Sequence, residues 1–173
     1  MRKVKSTKGF TLMEMLICMI TLLLIGMIVS TGMNLATMSL RETTFESDSQ
    51  MLESTLNTYI GDILRHATEI NDSSDPIKFN NSAYYIEEGS FKIDYVTGVA
   101  QNAGYLVCSS KLNEFYKDLM VANQGVYLNH MYIRDFNLQY DSVKKVFTGS
   151  YYIVSTTTKA EKFCEFSFRT IAE

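Results

Sequence analysis

The stretch from Phe10 to Met33 limits what this chain can become more than any other. It is apolar apart from small hydroxyls and carries one charge, Glu14. As a helix its two dozen residues would extend about 36 Å, enough to cross a hydrocarbon layer of about 30 Å. The segment before it holds Arg2, Lys3, Lys5 and Lys8 and no acid. Cationic residues on that side predict a cytoplasmic N-terminus, with the rest of the chain exported. Nothing breaks the helix as the apolar run ends, because Pro76 is the only proline and proline is the strongest helix breaker.

Three readings of this opening compete. A secretory signal peptide needs an apolar core of about 7–15 residues followed by small residues at a cleavage site. Met15 to Val29 with Ser30, Thr31 and Gly32 meets that description at its upper limit. A plain signal anchor fits the length but leaves Glu14 unexplained, since a carboxylate at mid-bilayer costs roughly 2.5–3.5 kcal/mol on insertion scales. The third reading makes Glu14 functional. The residues "KGFTLMEM", Lys8 to Met15, resemble the processing motif of type IV prepilins and pseudopilins. That motif is a basic leader, a glycine, then Phe-Thr-Leu-x-Glu opening an apolar helix.

The resemblance implies a membrane peptidase that cuts between Gly9 and Phe10 and N-methylates Phe10. Lys8, Gly9, Phe10, Thr11, Leu12 and Glu14 would form the processing motif, with Glu14 the fifth mature residue. A new terminal amine at Phe10 then offers Glu14 an opposite charge, on its own chain or on the neighbouring subunit, and so sets subunit register. A buried charge without a partner is strongly destabilising. A bland alternative has Glu14 reaching to the lipid headgroups. Major pilins carry a proline near the twenty-second mature position; here Thr31 stands there, which points to a minor pilin or pseudopilin. Gly26 and Gly32 interrupt the apolar run, most simply for close helix packing.

Beyond Met33 an amphipathic pattern follows. Met38, Phe45, Leu52, Tyr59 and His66 recur every seven residues, with Leu56, Ile63 and Ile70 beside them. One apolar face of a helix has this signature. A single helix is expected from Thr11 to Glu69, ended by the loop residues Asn71 to Pro76. His66 is expected in the core or at its boundary.

From Ile77 the period becomes two. Phe91, Ile93 and Tyr95 alternate with Lys92, Asp94 and Val96. Phe136, Leu138 and Tyr140 alternate with Asn137 and Gln139. Cys164, Phe166 and Phe168 alternate with Glu165, Ser167 and Arg169. Such alternation marks antiparallel strands with one buried face. Further strands are expected over Tyr105–Ser109, Val126–Ile133 and Ser150–Thr156, a hairpin around Glu88-Gly89, and a short helix or turn over Lys111–Met120. The fold class is therefore α+β, one long N-terminal helix on a C-terminal antiparallel sheet, as in the pilin fold. The expected divisions are a leader (1–9), a transmembrane and assembly half (10–33), an amphipathic half (34–70) and an extracytoplasmic β domain (71–173).

No catalytic motif, nucleotide fingerprint or metal-ligand spacing stands out. His130 is alone, and Asp94, Asp118, Asp135 and Asp141 are scattered. Lys144-Lys145 reads as a solvated turn, and Tyr84, Tyr85, Tyr151 and Tyr152 as cross-strand packing. The net charge of −3 argues against a nucleic-acid binder. Neither catalysis nor a cofactor or metal is expected. Cys108 and Cys164 fall in exported strands, where a disulfide can persist; a bond between them and two buried thiols both stay open. Cys18 lies in the apolar run as a thiol.

The expected role is a structural subunit of a type IV pilus, a type II secretion pseudopilus or a competence filament. It would wait as a single-pass inner-membrane protein and then join an extracytoplasmic filament at the cell surface. Its partners would be other pilin subunits, membrane lipid, the prepilin peptidase, an assembly platform protein and an ATPase. The alternative is a membrane-anchored, non-polymerising extracytoplasmic binding domain.

Overall fold

The structure, a computed structural model, describes residues 11–97, 102–112 and 115–171. One helix, α1, runs from Leu12 to Arg65. Eight strands follow: β1 (Thr68–Asn71), β2 (Lys78–Asn81), β3 (Ile86–Tyr95), β4 (Gly104–Leu112), β5 (Phe115–Met120), β6 (Met131–Asp141), β7 (Val146–Ser155) and β8 (Glu161–Arg169). Every pairing is antiparallel, in the order β1-β2-β3-β4-β6-β7-β8, with β5 paired to β4. The α+β expectation is met: the long helix packs against a C-terminal antiparallel sheet, a pilin-like layout. The chain divides into two compact units, one up to Arg41 and one from Glu42 onward.

In the unit from Glu42, the helix buries Ser49, Leu52, Leu56, Ile60, Gly61, Ile63 and Leu64. Leu52, Leu56, Ile60 and Leu64 are wholly sequestered. Each such leucine or isoleucine contributes roughly 1.5–3 kcal/mol relative to exposure. These positions follow the 3.6-residue period, whereas the seven-residue row does not stay on one face. A straight helix drifts about 20° per heptad, so Phe45 is half-buried and Leu52 buried, while Tyr59 and His66 have turned to solvent.

The helix ends four residues before the expected Glu69, and Thr68–Asn71 forms β1 instead. The free carbonyls of its last turn are taken by distant groups. Asn81 Nδ2 donates to the Ile63 carbonyl at 2.8 Å, and the Ile171 amide donates to Arg65 at 2.8 Å. Unpaired terminal carbonyls are costly where water is excluded. Tertiary partners, rather than the loop chemistry of Asn71–Pro76, thus fix where the helix stops.

Three expected elements are corrected. The residues around Glu88-Gly89 form no hairpin; they lie inside β3, and the turn is at Ser82–Tyr85, between β2 and β3. Gly89 is there for space, since a Cβ would run into the Ile86 side chain. Lys111–Met120 is not a helix but part of a hairpin in which β4 and β5 pair from Val107↔Met120 to Leu112↔Phe115. Val126–Ile133 becomes two short 3₁₀ turns, Gln124–Val126 and Leu128–His130, before β6 begins at Met131.

The predicted alternations over β6 and β8 hold. Phe136, Leu138 and Tyr140 pack partly buried against the core, between exposed Asn137 and Gln139. Cys164 and Phe166 are buried, and Glu165 and Ser167 exposed. Stacked rings tie the layer together, with Phe136 6.0 Å from Phe166 and Phe166 5.4 Å from Phe168.

Candidate functional site: the first turn of the helix

Lys8, Gly9 and Phe10, the expected cleavage and methylation residues, lie outside the described residues; Thr11, Leu12 and Glu14 lie within them. Thr11 and Glu14 hold each other. The Thr11 amide donates to Glu14 Oε2 at 2.8 Å and the Thr11 hydroxyl donates to the same oxygen at 3.0 Å. In return the Glu14 amide donates to Thr11 Oγ1 at 3.3 Å. With α1 beginning at Leu12, Thr11 is the cap and Glu14 the third helical residue, a reciprocal capping box. A negative charge in the first turn also complements the positive end of the helix dipole. The sequence carries this signal as Thr-Leu-Met-Glu, Thr11 to Glu14.

The cap occupies one carboxylate oxygen. Both bonds fall on Oε2, and among the described residues none falls on Oε1. Glu14 therefore has an intrachain role and still presents an acceptor to a cation.

The rest of the apolar half suits lipid. From Leu12 to Leu40 its large hydrophobic side chains are exposed, and the helix is long and apolar enough to cross a membrane. Its threonine hydroxyls bond inside the helix: Thr21 to the Ile17 carbonyl at 3.0 Å, Thr31 to Met27 at 2.8 Å and Thr37 to Met33 at 3.0 Å. Hydrocarbon supplies no hydrogen bonds, so polar groups there must be satisfied by the protein. Thr31 thus sits in unbroken helix. A Cβ at Gly26 or Gly32 would meet nothing within 4 Å, so both positions leave bare backbone on the helix surface.

In the unit from Glu42 the remaining candidates are structural or solvated. His66 is exposed rather than in the core, its Nδ1 3.0 Å from the Asp62 carbonyl oxygen. His130 is exposed and ends a 3₁₀ turn. Asp118 pairs with Lys92 at 2.9 Å and accepts from the Ser109 hydroxyl at 2.9 Å; the Lys92 bond chiefly holds its carboxyl below the usual range. Asp135 pairs with Arg134. Asp141 accepts from the Val143 and Lys144 amides and pairs with the Lys144 ammonium, so Lys144 belongs to a capped turn. Tyr151 is fully buried and donates to Asn57 Oδ1 at 3.0 Å, and Tyr152 packs 5.0 Å from Phe163. Tyr84 and Tyr85 are exposed turn residues, not cross-strand packing, and the Tyr84 hydroxyl donates to Asp62. No group of three potential metal ligands occurs among the described residues.

Cys108 and Cys164 are free, buried thiols. They lie on different strands with different neighbours: Cys108 on β4 stands between Phe91 of β3 and Leu119 of β5, and Cys164 on β8 stands opposite Tyr151 of β7. Burial pushes both thiols up to about 12, which keeps them protonated and unreactive at neutral pH.

The class defined here is an α+β chain with an apolar helical stem opened by a threonine–glutamate cap. No family model, curated protein or solved structure matches the chain.

Proposed function

We propose that this chain is a minor pilin or pseudopilin, a non-enzymatic structural subunit of a type IV filament system. The observation that carries the reading is one helix with two surfaces. Its first half is apolar and exposed all round, with a single acid in the first turn. Its second half buries one stripe under an antiparallel sheet. An apolar rod without a covering layer is suited to lipid and to packing with copies of itself.

In this reading a peptidase cuts between Gly9 and Phe10. The cut leaves the Thr11 amide intact, so the cap survives, and Glu14 Oε1 accepts the new amine of Phe10. The platform protein and ATPase supply the work of extrusion. One feature favours the rival, a non-polymerising anchored domain: Glu14 already has a partner within its own chain.

The test follows N-terminal sequence and recovery in sheared surface filaments. Gly9→Val should block cutting. Glu14→Val should permit cutting and deplete the protein from filaments. A chain that matures and functions normally with both changes is the anchored domain. A mature product starting at Met33 would instead establish a signal peptide.

A further inference from the structure

Strand β6 is paired on both sides only at its start. Gly104 of β4 lies opposite Ile133, while β7 follows β6 along its other edge from Met131 to Asp141. The register slips between Arg134 and Asn137, and Asp135 takes a φ of 53° there. Beyond this bulge no described strand pairs with Phe136–Asp141 on the side away from β7. An open edge is a row of amides and carbonyls ready to accept another strand.

The edge faces a cavity of about 470 Å³ between β6 and the loop from Asp72 to Ile77, with Phe91 in its wall. Phe136, Leu138 and Tyr140 supply apolar surface at alternate positions. Asp72 and Asp75 supply charge. Both are exposed, and neither forms an ion pair among the described residues; nearby Lys78 is engaged with Glu88, and Lys144 with Asp141. Pro76 stands beside Asp75 in the same wall, and the two carboxylates make this border of the groove acidic.

We propose that this groove binds an extended polypeptide segment as an added strand on β6, with lysine or arginine facing Asp72 and Asp75 and apolar residues between. Main-chain bonds along the edge supply affinity and the alternate side chains supply selection, as in other strand-addition complexes. Six residues of β6 at about 3.4 Å each give a footprint of about 20 Å, so a segment of five or six residues fits. The inference uses no residue of the leader or of the apolar half, and so is independent of the filament reading.

The experiment uses the full chain in a neutral detergent. The probes are a labelled hexapeptide alternating lysine with valine and its counterpart with glutamate for lysine. Fluorescence anisotropy should show saturable binding of the lysine peptide and at least tenfold weaker binding of the glutamate peptide. The double variant D72N/D75N, made at exposed loop positions, should lose tenfold or more in affinity for the lysine peptide with an unchanged circular dichroism spectrum. Hydrogen exchange should slow across Phe136–Asp141 when the lysine peptide is bound. Absence of binding, equal binding of the two peptides, or binding that leaves exchange at Phe136–Asp141 unchanged overturns the proposal.

Discussion

The two halves of α1 are made from similar apolar residues and differ in what those residues touch. Leu22, Leu23 and Ile28 are 68, 67 and 71% exposed, whereas Leu52, Leu56 and Ile60 are at 0%. The difference comes from composition around the turn. The early half is apolar on every side, so no single face is selected for burial. The later half carries Glu46, Glu53 and Asp62 off the buried stripe, so the sheet has one face to cover. Helix and hydrophobicity alone therefore do not mark a core; the contrast between faces does.

The sharpest way to break this comparison is one substitution made twice. Leu56→Ala should destabilise the domain by about 2–5 kcal/mol, as loss of a wholly buried leucine does. Leu22→Ala should change its unfolding by no more than about 0.5 kcal/mol. Denaturant unfolding in detergent, followed by tyrosine fluorescence, reads both; comparable losses would erase the distinction.

The cysteines sharpen it next. In the native chain an alkylating reagent should spare Cys108 and Cys164 until denaturant is added, and intact mass under non-reducing conditions should show no Cys108–Cys164 bond. Both buried thiols have folded pKa values near 12, above the value of 9.0 for a free thiol. A raised folded pKa means full stabilisation below about pH 9, lost as pH rises toward 12. The unfolding midpoint should therefore fall through that window, and fall less steeply in the Cys108→Ala, Cys164→Ala double variant.

Glycine gives a smaller contrast. A Cβ at Gly61 would meet the Phe168 ring at 2.8 Å, whereas at Gly26 it meets nothing. Gly61→Ala should cost about 1–3 kcal/mol through overpacking, less whatever helix propensity returns. Gly26→Ala should add up to about 1 kcal/mol of helix propensity and leave the domain's unfolding unchanged. The smallest effect is expected at the cap. Thr11→Val should fray the first turn at a cost of about 1 kcal/mol, read as faster amide exchange over Met13–Met15, with the sheet untouched.

How much of this was legible depended on whether a pattern had one cause. The alternation of Cys164, Phe166 and Phe168 has only burial behind it, and the strand followed. The run Lys111–Met120 spaces Leu112, Phe115, Tyr116 and Leu119 as a helix would, and only pairing with the rest of β4 makes it a hairpin. Gly89 looked like a turn because turns favour glycine; here the neighbouring Ile86 side chain demands the missing Cβ. Tyr59 and His66 kept a seven-residue repeat that a straight helix does not honour. The helix end was illegible for a different reason, since its carbonyls are satisfied by Asn81 and Ile171, residues no local window contains. At the candidate site, the Thr11–Glu14 spacing has two causes at once, a helix cap and a lone acid in apolar surroundings, and only the hydrogen bonds show that the cap is formed.

The bond from Tyr151 to Asn57 joins residues 94 positions apart, and Lys162 meets Glu53 from farther still. At a synthesis rate of about 5–20 residues per second, the helix face emerges roughly 5–19 seconds before the strands that shelter it. During that interval Leu52, Leu56, Ile60 and Leu64 form a sticky ribbon with no lid. That ribbon stays uncovered until β7 and β8 arrive.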